Sequence, residues 1–289
     1  DLFCCDIKMA HIKNKMKATS KFLTGERVLI VYAIFFLLFL YIPVLFLPLF
    51  SFSGSQYMTF PITDWTLERY VTMWKKTKLL EALYASIKVG IFASVISTIL
   101  GILVARAMTR YLFPLKRTVM GFILLPMVFP EIIMGVGLLI FVIFVGMQLS
   151  LITVTAGHIL ICLPFSTVIL ISRFEGFDRS LEEASLDLGE NAWQTFRRIT
   201  FPIVGSGILA SLLLTFTISF DEFLIAYFLS GHDPTLPIYI YGQLRHVKNI
   251  PYMLSLGSII LLVSFVTISF AEWIRRRGMS SKKVYGLFK

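Results

Sequence analysis

Six stretches of almost unbroken apolar side chains punctuate the chain, at about residues 28–50, 82–108, 118–146, 152–172, 203–229 and 252–274, with the charged residues gathered between them. Each has roughly the 20 residues that a helix rising ~1.5 Å per residue needs to cross a ~30 Å hydrocarbon core. A spanning helix satisfies its backbone polar groups internally, which lipid demands. The pattern therefore predicts an all-α membrane protein built as a bundle of six transmembrane helices. The first run follows basic residues as a signal peptide would, but its length and the lack of a small-x-small cleavage site favour an uncleaved anchor.

Within the runs, smaller patterns refine the picture. Gly90, Ser94, Ser97, Gly101 and Ala105 recur at steps of four and three along the second, a stripe that lets another helix approach closely. Pro126 and Pro130 interrupt the third, where each removes a backbone donor and should kink the helix beside Glu131. In the fifth, Thr215, Ser219 and Glu222 share one helical stripe and Thr217 and Asp221 the next, a polar width that suits a cavity better than lipid. His158 stands alone among apolar neighbours and reads as a hydrogen-bonded packing residue rather than a metal ligand.

Composition agrees: 57% of the 289 residues are hydrophobic and 15% charged, against about a quarter charged in an ordinary soluble domain. The net charge of +10 does not point to nucleic acid, because the basic residues flank the apolar runs. With the N-terminus inside, twenty of the 27 Lys and Arg residues are internal and seven external, so the positive-inside rule places both termini in the cytoplasm. Cys4, Cys5 and Cys162 form no disulfide framework. The chain thus divides into a basic N-terminal segment (1–27), the first span with an outer loop (28–80), a core of five spans (81–274) and a basic tail (275–289).

Two loops are long enough to fold. In the outer one, Trp65, Arg69 and Met73 form one helical stripe and Leu67, Tyr70 and Trp74 another, as in a short interfacial helix that either anchors at the membrane surface or serves docking or gating. In the inner one, Ser180 precedes Glu183 with capping-box spacing, Gly189 suits a helix end, and Asn191 and Gln194 repeat the capping pattern. A helix-turn-helix over 180–200 follows, its first helix carrying Leu181, Ala184 and Leu188 on an apolar side, its second reaching Arg198 or Ile199 before Pro202 starts the fifth span.

Here the residues resemble a known family. Glu183-Ala184-Ser185, three residues, Gly189, nine residues, Ile199, two residues and Pro202 are similar to the E-A-A signature of permease subunits of ATP-binding-cassette importers, and they lie before the penultimate span as that signature does. Ser185 stands for the second Ala and Phe201 for a Leu. Residues 172–178, His158 to Phe165 and Ser219-Phe220-Asp221-Glu222 look like the C-type permease of spermidine/putrescine importers, over roughly residues 30 to 275.

The resemblance implies a coupling helix that seats in a groove of a cytoplasmic ATPase, with Glu183, Ala184, Ser185, Asp187 and Gly189 in the contact. It also implies an ATPase dimer, a second and different permease chain, an extracytoplasmic substrate-binding protein and residence in a bacterial inner membrane. The chain has no G-x-x-x-x-G-K-[ST] loop, so ATP and Mg are expected on the ATPase, and neither a cofactor nor a metal on this chain. It is read as a non-catalytic subunit that works by alternating access.

For the pathway, Glu131, Asp221 and Glu222 offer carboxylates to a cationic solute and Phe220 and Tyr227 offer ring faces to its amines and methylenes. The alternatives are that Glu131 is protonated or pairs with a second permease, and that Asp221 and Glu222 cap a helix end. An importer of an amino-acid derivative, iron or an oxyanion, an ion-coupled secondary transporter and a membrane enzyme are the rival functions.

Overall fold

The computed structural model describes residues 2–55, 60–62 and 64–285, with side chains from residue 27 to 266 within those ranges and at residue 269. The basic residues of both ends, with Cys4 and Cys5, lie outside the described side chains. The elements in chain order are α1 (Leu2–Ser51), α2 (Glu68–Met73), α3 (Thr77–Arg110), α4 (Lys116–Leu124), α5 (Glu131–Phe144), α6 (Leu151–Glu175), α7 (Ser180–Asp187), α8 (Ala192–Thr195), α9 (Phe201–Asp221), α10 (Leu224–Leu229), α11 (Leu236–Leu244) and α12 (Ile250–Tyr285). Among the described residues the only β pairing is an isolated antiparallel bridge between Ser53 and Trp65.

Among the described residues, five helical stretches are long and apolar enough to cross a membrane, and a sixth forms if the pair 116–127 and 131–144 counts as one span. That pair turns by 103°. Pro126 lies in a 3-10 turn, and Pro130 stands immediately before α5 with ψ 130°, outside the helical region, so the expected kink is a break. The fifth span also breaks: α9 stops at Asp221, Glu222 is extended, and α10 starts anew at Leu224. The single helix expected over 203–229 is therefore two.

Contacts divide the chain into two compact units, residues 1–72 with 247–289, and residues 73–246. In the first, α1 packs along α12, with Ser255 Oγ donating to the Ser51 carbonyl at 3.3 Å. The helix in the loop after α1 is shorter than its stripes suggested: α2 holds only Glu68–Met73, and Trp65 lies before it in the bridge to Ser53. Arg69 is buried and donates through Nη2 to the Ser55 carbonyl, while Trp65, Leu67 and Val71 are exposed.

In the second unit α3, α6 and α9 pack closely against one another. All five members of the small-residue stripe on α3 are buried. At Gly101 a Cβ would lie 2.1 Å from Ser166 Oγ and 3.1 Å from a Leu170 methyl, so only hydrogen fits. Close approach lets hydroxyls pair across helices: Ser211 Oγ donates to Ser166 Oγ at 2.8 Å and lies 3.1 Å from Thr98 Oγ1. Apolar clusters flank this polar seam, one around Val154, Ile161 and Ile225, the other around Ala105, Leu170 and Phe174. His158 is fully buried with Nδ1 2.8 Å from Ser219 Oγ, in keeping with a packing role, and Cys162 is a buried free thiol.

Candidate functional site

The helix-turn-helix over 180–200 forms where its capping chemistry placed it, with one shift. Asp178, not Ser180, supplies the cap: its Oδ1 accepts from the Ser180 amide at 3.0 Å, and Ser180 is already helical. Bonds from the Ser180 amide and side chain hold the Asp178 carboxyl below its ordinary range. The cap therefore persists above that range and is lost as pH falls through the lowered value.

Gly189 ends α7 with φ +89°, a left-handed conformation that a Cβ disfavours, and its amide donates to the Leu186 carbonyl at 2.9 Å. Asn191 then starts α8: its Oδ1 accepts from the Trp193 and Gln194 amides at 3.1 and 2.9 Å, and Gln194 Oε1 accepts from the Asn191 amide at 3.0 Å. Asn191→Ala should cost about 1 kcal/mol of local stability, read as faster hydrogen exchange at the Trp193 and Gln194 amides; unchanged exchange would count against the cap.

Ser185 is buried where the signature has Ala, and it joins the two short helices. Its Oγ donates to Glu190 Oε2 at 2.9 Å and lies 3.0 Å from Thr195 Oγ1. Glu190 also takes a hydrogen bond from Arg198, and the Arg198 and Ser185 bonds together keep its carboxyl below the ordinary range. After α8 the chain does not stop. It continues through a π-helical turn, Phe196–Thr200, straight into α9, so the turn is rooted in the fifth span.

The apolar side of α7 faces outward. Leu181 and Leu188 are exposed, at 48% and 87%, as is Leu186, and Ala184, Glu183 and Asp187 lie on the open surface with them. The buried side holds Glu182 and Ser185. A short helix can bury polar groups when every one is bonded, and these are: Glu182 pairs with Arg110 at 2.7 Å and accepts from Thr200 Oγ1 at 2.6 Å. Nearby Trp193 is 68% exposed. Leu181, Leu188 and Trp193 thus leave an apolar surface framed by Glu183 and Asp187. Periodicity placed the leucines on one apolar side without saying what covers it, and the signature singled out Glu183 while nothing in the sequence marked Glu182 for burial.

Around the end of α9 and the start of α5 the predicted pathway residues separate into two sets. Thr215, Ser219 and Glu222 are buried within the chain: Thr215 Oγ1 bonds the Ser211 carbonyl at 2.7 Å, Ser219 meets His158, and Glu222 Oε1 accepts from the Ile225 amide at 2.9 Å, capping α10. The second stripe, Thr217 and Asp221, is exposed, as is Glu131 at the start of α5. Glu131 lies close enough to Glu222 for their charges to interact. Phe220 stacks on Phe216 at 5.8 Å, and Tyr227, half exposed, belongs to a cluster with Phe223, Phe228 and Tyr241, of which the last two carry no signal in the sequence.

The family described as "binding-protein-dependent transport system inner membrane component" matches residues 97–278, which include the helix-turn-helix and the broken fifth span. The chain belongs to that family. It is 32% identical over 242 residues to the spermidine/putrescine transport system permease protein PotC of Escherichia coli K12, covering 82% of this chain and 90% of the relative. The corresponding protein of Haemophilus influenzae is 31% identical over 89% of this chain and 98% of its own length, and the E. coli putrescine transport system permease protein PotI 31% over 77% and 82%. The fold is shared with a bacterial ABC transporter involved in import of the acidic polysaccharide alginate, at TM-score 0.67, 17% identity and coverage of 86% of this chain and 94% of that one. It is shared also with the MetNI methionine ABC transporter, at 0.54, 20%, 72% and 99%. This binding-protein-dependent permease is a multi-pass inner-membrane protein and a transport subunit.

Proposed function

We propose that this permease is the C-type membrane subunit of an ATP-driven polyamine importer. The observation that carries this is the 31–32% identity, spread over 77–89% of the chain, to permeases named for spermidine and putrescine transport. The subunit works by alternating access with a second, different permease, an ATPase pair on its cytoplasmic side and a substrate-binding protein outside. ATP and Mg bind the ATPase and not this chain. The exposed leucines of α7 with Trp193, Glu183, Ala184, Asp187 and the turn at Gly189 seat against the ATPase, an orientation that puts both termini in the cytoplasm.

The solute passes the exposed carboxylates Glu131 and Asp221 and the rings of Phe220 and Tyr227, with Glu222 behind them. No Lys or Arg occurs in 131–144 or 201–229, so the chain lends this route net negative charge, which suits ammonium groups, and aromatic faces suit both ammonium and methylene. The test is uptake of labelled putrescine and spermidine by cells with and without the gene, with ATP depleted as control; uptake that persists without ATP would favour an ion-coupled carrier. Asp221→Asn should lower kcat/KM for polyamine about tenfold, the effect of losing one charge-assisted contact of about 1.5 kcal/mol. Unchanged kinetics would make Asp221 a helix-end residue only.

A further inference from the structure

The buried polar face of α7 has a physical explanation in three side chains from three elements. Glu182 is 8% exposed, and its carboxylate is shared between Arg110 Nε at 2.7 Å and Thr200 Oγ1 at 2.6 Å. Arg110 is the last residue of α3, and Thr200 closes the π-helical turn that enters α9. The Arg110 guanidinium also stacks over Phe177 at 5.3 Å and reaches the Phe177 carbonyl at 3.5 Å, fixing the segment that leads into α7. A buried charge is tolerated only while its partners stay in place, so α7, the C-terminal end of α3 and the root of α9 must move together or break the set.

The other polar contacts of α7 do not reach the spans in this way. Arg179 and Glu183 pair along the surface of α7 itself, and Ser185 with Glu190 and Thr195 ties α7 to α8. Among the described residues, Glu182–Arg110 is the one ion pair joining α7 to a spanning helix. The π-helical turn contributes geometry: its wider turn changes the facing of the residues that follow, and Thr200 at its end is fully buried against the Glu182 carboxylate.

We infer that Glu182, clasped by Arg110 and Thr200, is the positioning residue through which displacement of α7 is passed to α3 and α9. The inference rests on the proposed ATP-driven importer, and it assigns force transmission to the carboxylate beneath α7, while Glu183 and the leucines above it make the ATPase contact. Small movements pass intact through such a set because a desolvated ion pair has few alternative partners.

The test uses the whole transporter, this chain with its second permease, ATPase and binding protein, reconstituted in vesicles in which ATP hydrolysis and polyamine accumulation are followed together. Glu182→Gln should leave hydrolysis running while polyamine imported per ATP falls about tenfold, and Thr200→Val should lower that ratio about threefold. Glu182→Gln combined with Arg110→Gln should lose no more than the worse single variant, since both remove one interaction. A merely structural pin would reduce assembled complex, hydrolysis and uptake in proportion; an unchanged ratio in the assembled variants overturns the inference. If Glu182→Gln fails to assemble, Thr200→Val decides alone, because it keeps both shape and ion pair. Wild-type vesicles that import no polyamine with ATP would overturn the proposed function and the inference with it, whereas importing wild type with unchanged variants overturns the inference only.

Discussion

Gly189→Pro should abolish ATP-driven uptake, by about a hundredfold or more, while the protein still inserts into the membrane. Gly189 has φ +89°, and a proline ring fixes φ near −65°, so the turn between α7 and α8 cannot close. Proline also deletes the amide that donates to Leu186 at 2.9 Å. The exposed leucines of α7 and Trp193 would then be presented at a different angle, and the proposed seating on the ATPase depends on that angle. Nothing approaches a Cβ at this position within 4 Å, so the defect is backbone conformation and not crowding. Gly189→Asn, whose short polar side chain tolerates the left-handed region, should retain most uptake. Membrane-extracted protein, uptake and ATP hydrolysis measured side by side would check this, and near-normal uptake by Gly189→Pro would sink the docking role of the turn. Glu183→Lys, on the exposed face, should give the same loss through charge reversal rather than geometry.

The largest effect on stability is expected inside the bundle. Gly101→Val should destabilise the second unit by about 3 kcal/mol, seen as a lower unfolding temperature in detergent and less folded protein. The new Cβ would sit 2.1 Å from Ser166 Oγ. Ser166 cannot turn away freely, because its hydroxyl accepts from Ser211 at 2.8 Å and a buried donor left unpaired adds its own cost. Leu170, on the same side, is fully buried. Either α3 and α6 separate or the hydroxyl seam breaks. Gly121, where a Cβ would meet nothing within 4 Å, is the comparison site, and Gly121→Val should leave the unfolding temperature almost unchanged. Equal shifts at both positions would show that the stripe on α3 is not a close helix contact.

The sequence carried different amounts of information at different places. Six apolar runs, the stripe from Gly90 to Ala105, the turn at Gly189 and the Asn191 cap were legible because each depends on local spacing or on one residue's backbone preference. The breaks at Pro130 and at Glu222 were only half legible. Proline announces a kink but not a bend of 103°, whose size depends on the helices packed beyond it. At Glu222 no helix breaker appears in the sequence; the chain leaves the helix there and its carboxylate caps α10 through the Ile225 amide.

The buried face of α7 was illegible for the same reason. Leu181, Ala184 and Leu188 lie together on a helical wheel, and in an isolated soluble domain such a side turns inward. Here the inward direction is set by Arg110 and Thr200, more than 70 and about 18 residues away in the chain, which offer Glu182 a paired and hydrogen-bonded burial. The leucines are left exposed. Likewise Thr215 and Ser219 do share a stripe, yet that stripe faces α6 and His158 while its neighbour, with Thr217 and Asp221, faces out.

By itself the sequence determined the membrane class, the positions of the spanning segments and the helix-turn-helix before the fifth span, because lipid and backbone impose those requirements locally on any chain of this composition. Only the tertiary structure decided which side of α7 is buried, where the third and fifth spans break and which carboxylates remain exposed, because each of those is settled by a contact between residues far apart in sequence.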